Sequence, residues 1–192
     1  MTFCVLEQFP EELHNRLIEI WKEGVWKDQI EAHPDTFYHF HLAKDHEIFK
    51  EFPFARTIEY YMNTPGSNSG PHLDRGRWCA INVPIDVNTE KSCFLIGKHF
   101  NLTKYRRKTH LDKPDNDANA YFHKVSEEGP TGFYYEDDGL FDYYNLEKPV
   151  IFCTKVPHGY HNDECETERV LVSITFDKKW EEMLHIIPQD WY

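Results

Sequence analysis

The sequence predicts a mainly β protein, a sandwich or barrel with helical packing at its start. Three observations carry that prediction. Runs of five to nine β-branched, aromatic and aliphatic residues recur along the chain, separated by turn clusters. One amphipathic helical segment stands near the start. No internal repeat or Gly/Ser-rich linker divides the 192 residues, and a chain of that length buries about 70% of its unfolded surface around one core. A single domain over 1–192 follows, with an insertion at about 97–146.

Each element has a local reason. Pro10 followed by EELHNRLIEIWKEG reads as a helix: proline suits the first turn, Glu11 and Glu12 complement the positive end of the helix dipole, and Leu13, Leu17, Ile20 and Trp21 form one apolar stripe. Gly24 suits its end. Ala55 to Met62 (ARTIEYYM) is rich in β-formers and runs into the turn cluster NTPGSNSGP. Trp78 to Ile85 alternates, with Cys79, Ile81, Val83 and Ile85 on one face and Trp78, Ala80 and Asn82 on the other. Ser92 to Ile96 is the expected pairing partner of that strand. Residues 97–146 are polar, turn-rich and studded with aromatics, the character of an elaborated loop or hairpin. Regular order resumes at Pro149, where KPVIFCT and ERVLVSITF read as strong strands and DKKWEEML as a closing helix.

Composition narrows the function. The net charge of −12 argues against a nucleic-acid partner, because phosphate binding needs a net basic footprint. The one basic cluster, Lys104 with Arg106, Arg107 and Lys108, reads as a solvated loop face. No apolar run long enough for a membrane helix occurs, and MTFCVLEQFPEEL lacks the basic start and apolar stretch of a signal peptide. Five widely spaced cysteines without a C-x-x-C pair suggest neither a disulfide framework nor a zinc ribbon, so a cytoplasmic, reducing location is expected. Oligomeric state leaves no signature in the sequence.

Twelve histidines raise the question of a metal. With 14 aspartates in 192 residues, His-x-Asp arises about once by chance, yet four copies occur: His33/Asp35, His72/Asp74, His110/Asp112 and His161/Asp163. Strand period two puts both residues of such a pair on one face, within reach of one ion. Only His72/Asp74 lies between a strand-turn signal and a strong alternating strand. Further on, PVIFCTKVPHGYHN brings His158 to a turn between two strands, the second opening with Arg169. There, period two groups Arg169, Leu171, Ser173 and Thr175 on one face. An inward guanidinium needs an anion, since an unpaired buried charge is costly. Two histidines and a carboxylate with open positions are the donor set of non-heme Fe(II) oxygenases.

On these residues (PHLD, RGRWCAINVPI, VPHGYHN and ERVLVSITF, spanning about 55–176) the chain resembles the 2-oxoglutarate/Fe(II)-dependent oxygenases, in the prolyl 4-hydroxylase-like branch. The insertion matches nothing in that pattern. The resemblance implies a double-stranded β-helix, a jelly-roll or cupin-like barrel with iron at its open end. It implies His72, Asp74 and His158 as catalytic iron ligands and Arg169 as the anchor of the distal carboxylate of 2-oxoglutarate, with Tyr60 as a partner of that carboxylate and Tyr61 competing for the role. Asn82 and Ser173 would line the cosubstrate pocket. His161 competes with His158 for the distal ligand, and the proline before His158 together with Tyr160 after it matches the family's usual surroundings for that ligand. The implied activity uses Fe(II), 2-oxoglutarate and O2 to hydroxylate a substrate, releasing succinate and CO2.

Other readings stay open. The same three ligands would serve a cupin-like metalloenzyme of non-oxygenase chemistry, and the barrel alone would serve a non-catalytic binding module. Arg169 has an alternative as a surface ion-pair residue beside Glu166 and Glu168. The substrate is a small molecule or a peptide or protein side chain, a prolyl residue among them; an acidic surface favours a neutral or cationic one, which Arg75 and Arg77 would reverse locally. Phe133, Tyr134, Tyr135, Phe141, Tyr143 and Tyr144 suit either a lid or packing. His39, His41, His46 and His123 carry no partner spacing and read as ordinary surface or core histidines.

Overall fold

Helix α1 (Glu11–Glu23) forms where the apolar stripe predicts it, with Leu13 and Leu17 buried and Ile20 and Trp21 packed against the same core. The computed structural model describes residues 2–23, 37–67, 69–74, 77–97, 105–108, 120–124, 141–162 and 164–192, with backbone alone at 37–38, 69–73, 105–108, 120–124 and 141. Gly24, His33/Asp35, His110/Asp112, Arg75, Phe133, Tyr134 and Tyr135 lie outside these residues, as do Asp163 and the side chains of Phe141 and His123.

Among the described residues there are twelve strands, in chain order β1 (Phe3–Val5), β2 (Phe37–His41), β3 (Ala55–Asn63), β4 (Ser69–Leu73), β5 (Cys79–Asp86), β6 (Cys93–Gly97), β7 (Tyr105–Lys108), β8 (Ala120–Lys124), β9 (Phe141–Tyr144), β10 (Val150–Cys153), β11 (His158–His161) and β12 (Arg169–Phe176). They build two antiparallel six-stranded sheets, ordered β1-β10-β5-β12-β3-β2 and β7-β8-β4-β11-β6-β9. Helix α2 (Trp180–Ile186) closes the chain, burying Trp180 and Met183. This is the predicted double-stranded β-helix. Its major sheet puts one face against α1 and α2 and the other toward the minor sheet.

That division is visible side chain by side chain. Ile58, Tyr60, Ile81, Val83, Val172, Ile174 and Phe176 join the helix-facing core. Ala80, Val150, Phe152 and Leu171 meet Phe94, Ile96 and Val156 in a second cluster between the sheets. The alternation read along 78–85 therefore has its physical cause: both faces of β5 are buried, against different partners. Trp78 is the exception, 43% exposed just before the strand, with the Lys155 ammonium over its ring.

Several segments differ from expectation. β6 pairs with β11 and β9 in the minor sheet instead of with β5, whose two edges are already taken by β10 and β12. His158 opens a strand instead of sitting in a turn. Strands β1, β2 and β4 were hidden in short or turn-like sequence, and the insertion contributes β7, β8 and β9 to the minor sheet. Gly97 ends β6 where a Cβ would come within 3.1 Å of the Pro157 carbonyl, so glycine permits the close approach beside His158. Tyr144 packs near Phe3 at a ring separation of 6.3 Å, whereas Tyr143 is 43% exposed.

Tyr60 faces the helix layer. Its hydroxyl donates to the Leu17 carbonyl of α1 at 2.8 Å, and its ring stacks on Trp21. Tyr60→Phe is expected to lower the unfolding free energy by about 1 kcal/mol, the net worth of one buried hydrogen bond. Urea titration measures that loss, and an unchanged midpoint would contradict it.

Candidate metal centre

The two sheets bring the predicted ligand segments together at one end of the barrel. β4 and β11 are antiparallel neighbours, and His72 and His158 are directly opposite in their register. Asp74 follows β4 at once. Its backbone N–H donates to Thr154 O at 3.3 Å, and its carbonyl accepts from Lys155 Nζ at 2.9 Å. The loop after β4 is thus clipped to the turn between β10 and β11, the turn that leads into His158.

Asp74 is 3% exposed and His158 4%. Asp74 Oδ2 lies 3.4 Å from His158 Nε2 and accepts from Arg77 Nε at 2.5 Å. Burial opposes the carboxylate charge, but the His158 imidazole and the Arg77 guanidinium outweigh it and hold the carboxyl well below the usual range. His158 Nδ1 lies 3.0 Å from Val156 O. A carbonyl only accepts, so Nδ1 donates to it and Nε2 is the nitrogen left facing the carboxylate. A carboxylate oxygen and an imidazole nitrogen held 3.4 Å apart are two donors that one metal ion could bridge. Phe152 fixes the ring further, edge-on at 5.0 Å.

This arrangement fits a divalent metal. The donors are an ionised carboxylate and an imidazole whose second nitrogen is tied to a backbone carbonyl, the outer contact that orients metal-bound histidine. His72 has its backbone at the matching register position, and its side chain lies outside the described residues. His161 is half-buried and alternates to the other face of β11, in register with Cys93. The geometry thus groups His158, not His161, with Asp74.

Arg169 is 2% exposed at the start of β12, which excludes the surface ion-pair role. Its Nη1 donates to Asn63 Oδ1 at 3.0 Å, and its guanidinium lies 4.8 Å from the centroid of the Tyr160 ring. Asn63 also donates to the Tyr160 hydroxyl at 2.8 Å. Burial pushes the guanidinium down to about 10, still charged at neutral pH. Its Nε is buried and meets no acceptor among the described residues. A buried cation with an uncommitted donor fits an incoming carboxylate.

Asn82 and Ser173 are opposite each other in the β5–β12 register, 7% and 4% exposed, on the face of β12 that carries Arg169. Tyr60 is the correction. Its hydroxyl is committed to Leu17 on the helix side of the sheet, away from the arginine, because adjacent strand positions point to opposite faces. Tyr61 takes the inner face instead and donates to Glu59. Sequence reasoning missed the contacts by which Asn63 and Tyr160 seat the arginine, and it gave Arg77 only a part in the local charge. Asn63 carries a signal only once β3 and β12 are known to pair, since it sits opposite Arg169.

Fold and site together define a double-stranded β-helix protein with a histidine and carboxylate centre beside a buried arginine. No protein-family model matches the chain, and no curated protein matches it. Solved structures do. The epimerase SnoN, in complex with Fe3+, alpha ketoglutarate and nogalamycin RO, is 10% identical with a TM-score of 0.52, over 92% of this chain and 79% of that one. AviO1 from Streptomyces viridochromogenes is 12% identical with a TM-score of 0.51, over 92% and 90%. A prolyl-4-hydroxylase of Pseudomonas putida is 11% identical with a TM-score of 0.50, over 92% of each chain. At these identities the likeness shows the shared fold.

Proposed function

We propose that the protein is an Fe(II)- and 2-oxoglutarate-dependent oxygenase that hydroxylates a small metabolite, a free amino acid or a protein side chain such as a prolyl residue. The observation that carries this reading is the buried Asp74–His158 pair, with Nε2 presented to the carboxylate, at the same barrel end as the buried cation Arg169. The solved neighbours of this fold include proteins described with iron or alpha ketoglutarate, which favours the same cofactors here.

His72, Asp74 and His158 would hold the metal, and Arg169 the distal carboxylate of the cosubstrate. Bound Fe(II) supplies the oxidising chemistry, coupling the conversion of 2-oxoglutarate and O2 to succinate and CO2 with oxidation of a substrate C–H bond. The protein's own work is positional. The Val156 carbonyl fixes the His158 tautomer, and Arg77 and the clipped loop hold Asp74 ionised. Tyr160, two residues along β11 from His158, packs its ring on the Arg169 guanidinium and so ties the proposed carboxylate anchor to the strand that carries His158. Asn82 and Ser173 offer neutral hydrogen-bonding groups on the pocket side of the sheet.

The test is succinate release by the purified chain with Fe(II), 2-oxoglutarate and ascorbate, first alone and then with a panel of amino acids, prolyl peptides and small acids. The expected result is slow release without substrate, faster release with the correct one, and one added oxygen in its product by mass spectrometry. Turnover without a change in product mass would place the chain with the epimerase chemistry described for SnoN. Absence of both metal uptake and 2-oxoglutarate binding by calorimetry would overturn the reading.

A further inference from the structure

Arg77 stands between the proposed metal centre and a second buried carboxylate. Its Nε donates to Asp74 Oδ2 at 2.5 Å, its guanidinium lies beside the Tyr61 hydroxyl, and its side chain is only 20% exposed. Tyr61 OH donates its single proton to Glu59 Oε2, so toward Arg77 it presents acceptor lone pairs alone. Glu59 is 7% exposed; its Oε1 accepts from Thr57 Oγ1 at 2.6 Å and lies 3.3 Å from His41 Nδ1. The Arg77 carbonyl in turn accepts from Thr154 Oγ1 at 2.7 Å. The series runs from Asp74 through Arg77 and Tyr61 to Glu59 and Thr57 along the inner face of β3.

We propose that Arg77, Tyr61 and Glu59 form a buried relay that sets the orientation of the Asp74 carboxylate for metal binding, with Arg77 as a positioning residue. The inference rests on the reading of Asp74 as a ligand. A carboxylate can rotate about its Cβ–Cγ bond, and one planar donor at 2.5 Å stops that rotation only if the donor is itself held. Tyr61 and Thr154 hold it, at the guanidinium and at the backbone.

The experiment is Mn(II) binding to the full apo chain by calorimetry, with thermal melting alongside, for the parent, Arg77→Ala, Arg77→Lys, Tyr61→Phe and the Arg77→Ala/Tyr61→Phe double variant. Loss of Arg77 is expected to weaken Mn(II) binding by about tenfold or more, the usual effect of removing an outer contact to a metal ligand. Lysine should fall between alanine and the parent, since it can reach one partner but not fork to both. Tyr61→Phe should weaken binding in the parent background and not in the Arg77→Ala background, the non-additivity expected of residues acting through one another. A merely structural role would lower the melting temperature and leave the Mn(II) affinity of the folded fraction unmoved. Parent-like affinity in Arg77→Ala, or an equal Tyr61→Phe effect in both backgrounds, overturns the relay. Should Arg77→Ala fail to fold, Tyr61→Phe decides alone, and parent-like affinity there also overturns it. A parent chain that takes up no Mn(II) overturns the metal reading and the relay with it.

Discussion

Asp74→Ala is expected to abolish metal uptake and all metal-dependent succinate release. The carboxylate is the one anionic donor in the proposed set, and two neutral imidazoles alone bind a hard divalent ion poorly. The same substitution leaves the half-buried Arg77 guanidinium without its carboxylate, which lowers stability by less than the ~3–5 kcal/mol of a fully buried unpaired charge. Asp74→Asn separates the two effects, since the amide oxygen can still accept from Arg77 while the charge is gone. Asparagine should keep more stability than alanine yet match it in lost turnover. The pH dependence of the apo chain adds a second check. Asp74 is more acidic folded than unfolded, so its stabilisation is complete above the unfolded value of about 3.9 and is lost as pH falls toward the folded one. The stability gap between parent and Asp74→Asn in urea titrations should therefore close progressively below about pH 4. Full 2-oxoglutarate decarboxylation by Asp74→Ala would sink the assignment.

The strands that were legible in the sequence are those whose side chains meet a different environment on each face. β5 and β12 alternate because one face meets the helices and the other the minor sheet, and α1 shows its stripe for the same reason. β4 was illegible because Ser69, Gly70 and Pro71 read as turn chemistry, yet its place between β8 and β11 makes a strand of it. β6 looked like a partner of β5 by proximity in sequence, but free sheet edges decide pairing and β5 had none.

The site divides along a similar line. His72, Asp74, His158 and Arg169 were singled out by motif, the His-x-Asp spacing and the proline before His158, and by the strong strand that Arg169 opens; among the described side chains, Asp74, His158 and Arg169 are buried. The choice between Tyr60 and Tyr61 was not legible, since adjacent strand residues take opposite faces and only the helix contact to Leu17 reveals which face Tyr60 occupies. Arg77 looked like one of several loop cations; its role depends on Tyr61 and Glu59 from another strand, a proximity that sequence spacing does not encode.

Arg169→Leu carries the second large effect, on cosubstrate affinity. A charge-assisted pair to a buried arginine loses about 2–5 kcal/mol when one partner is truncated, which is roughly a thirtyfold to several-thousandfold rise in the 2-oxoglutarate Kd. Stability should move the other way. In the apo chain the guanidinium gives up its hydration for one hydrogen bond to Asn63 and a ring contact with Tyr160, so an apolar side chain of smaller volume removes a desolvation cost. Leucine is therefore expected to bind cosubstrate far more weakly while holding or raising the urea midpoint, as when a residue is kept for function at the expense of stability. Arg169→Lys should recover part of the affinity, because a point charge attracts the carboxylate without offering two parallel donors. The chemical control is 2-oxobutyrate, which keeps the keto-acid end and lacks the distal carboxylate. Its weak binding should be the same in parent and leucine variant, since Arg169 would have nothing to hold. Equal loss for both acids would mean that the arginine supports the pocket as a whole, and unchanged 2-oxoglutarate affinity would remove Arg169 from the site.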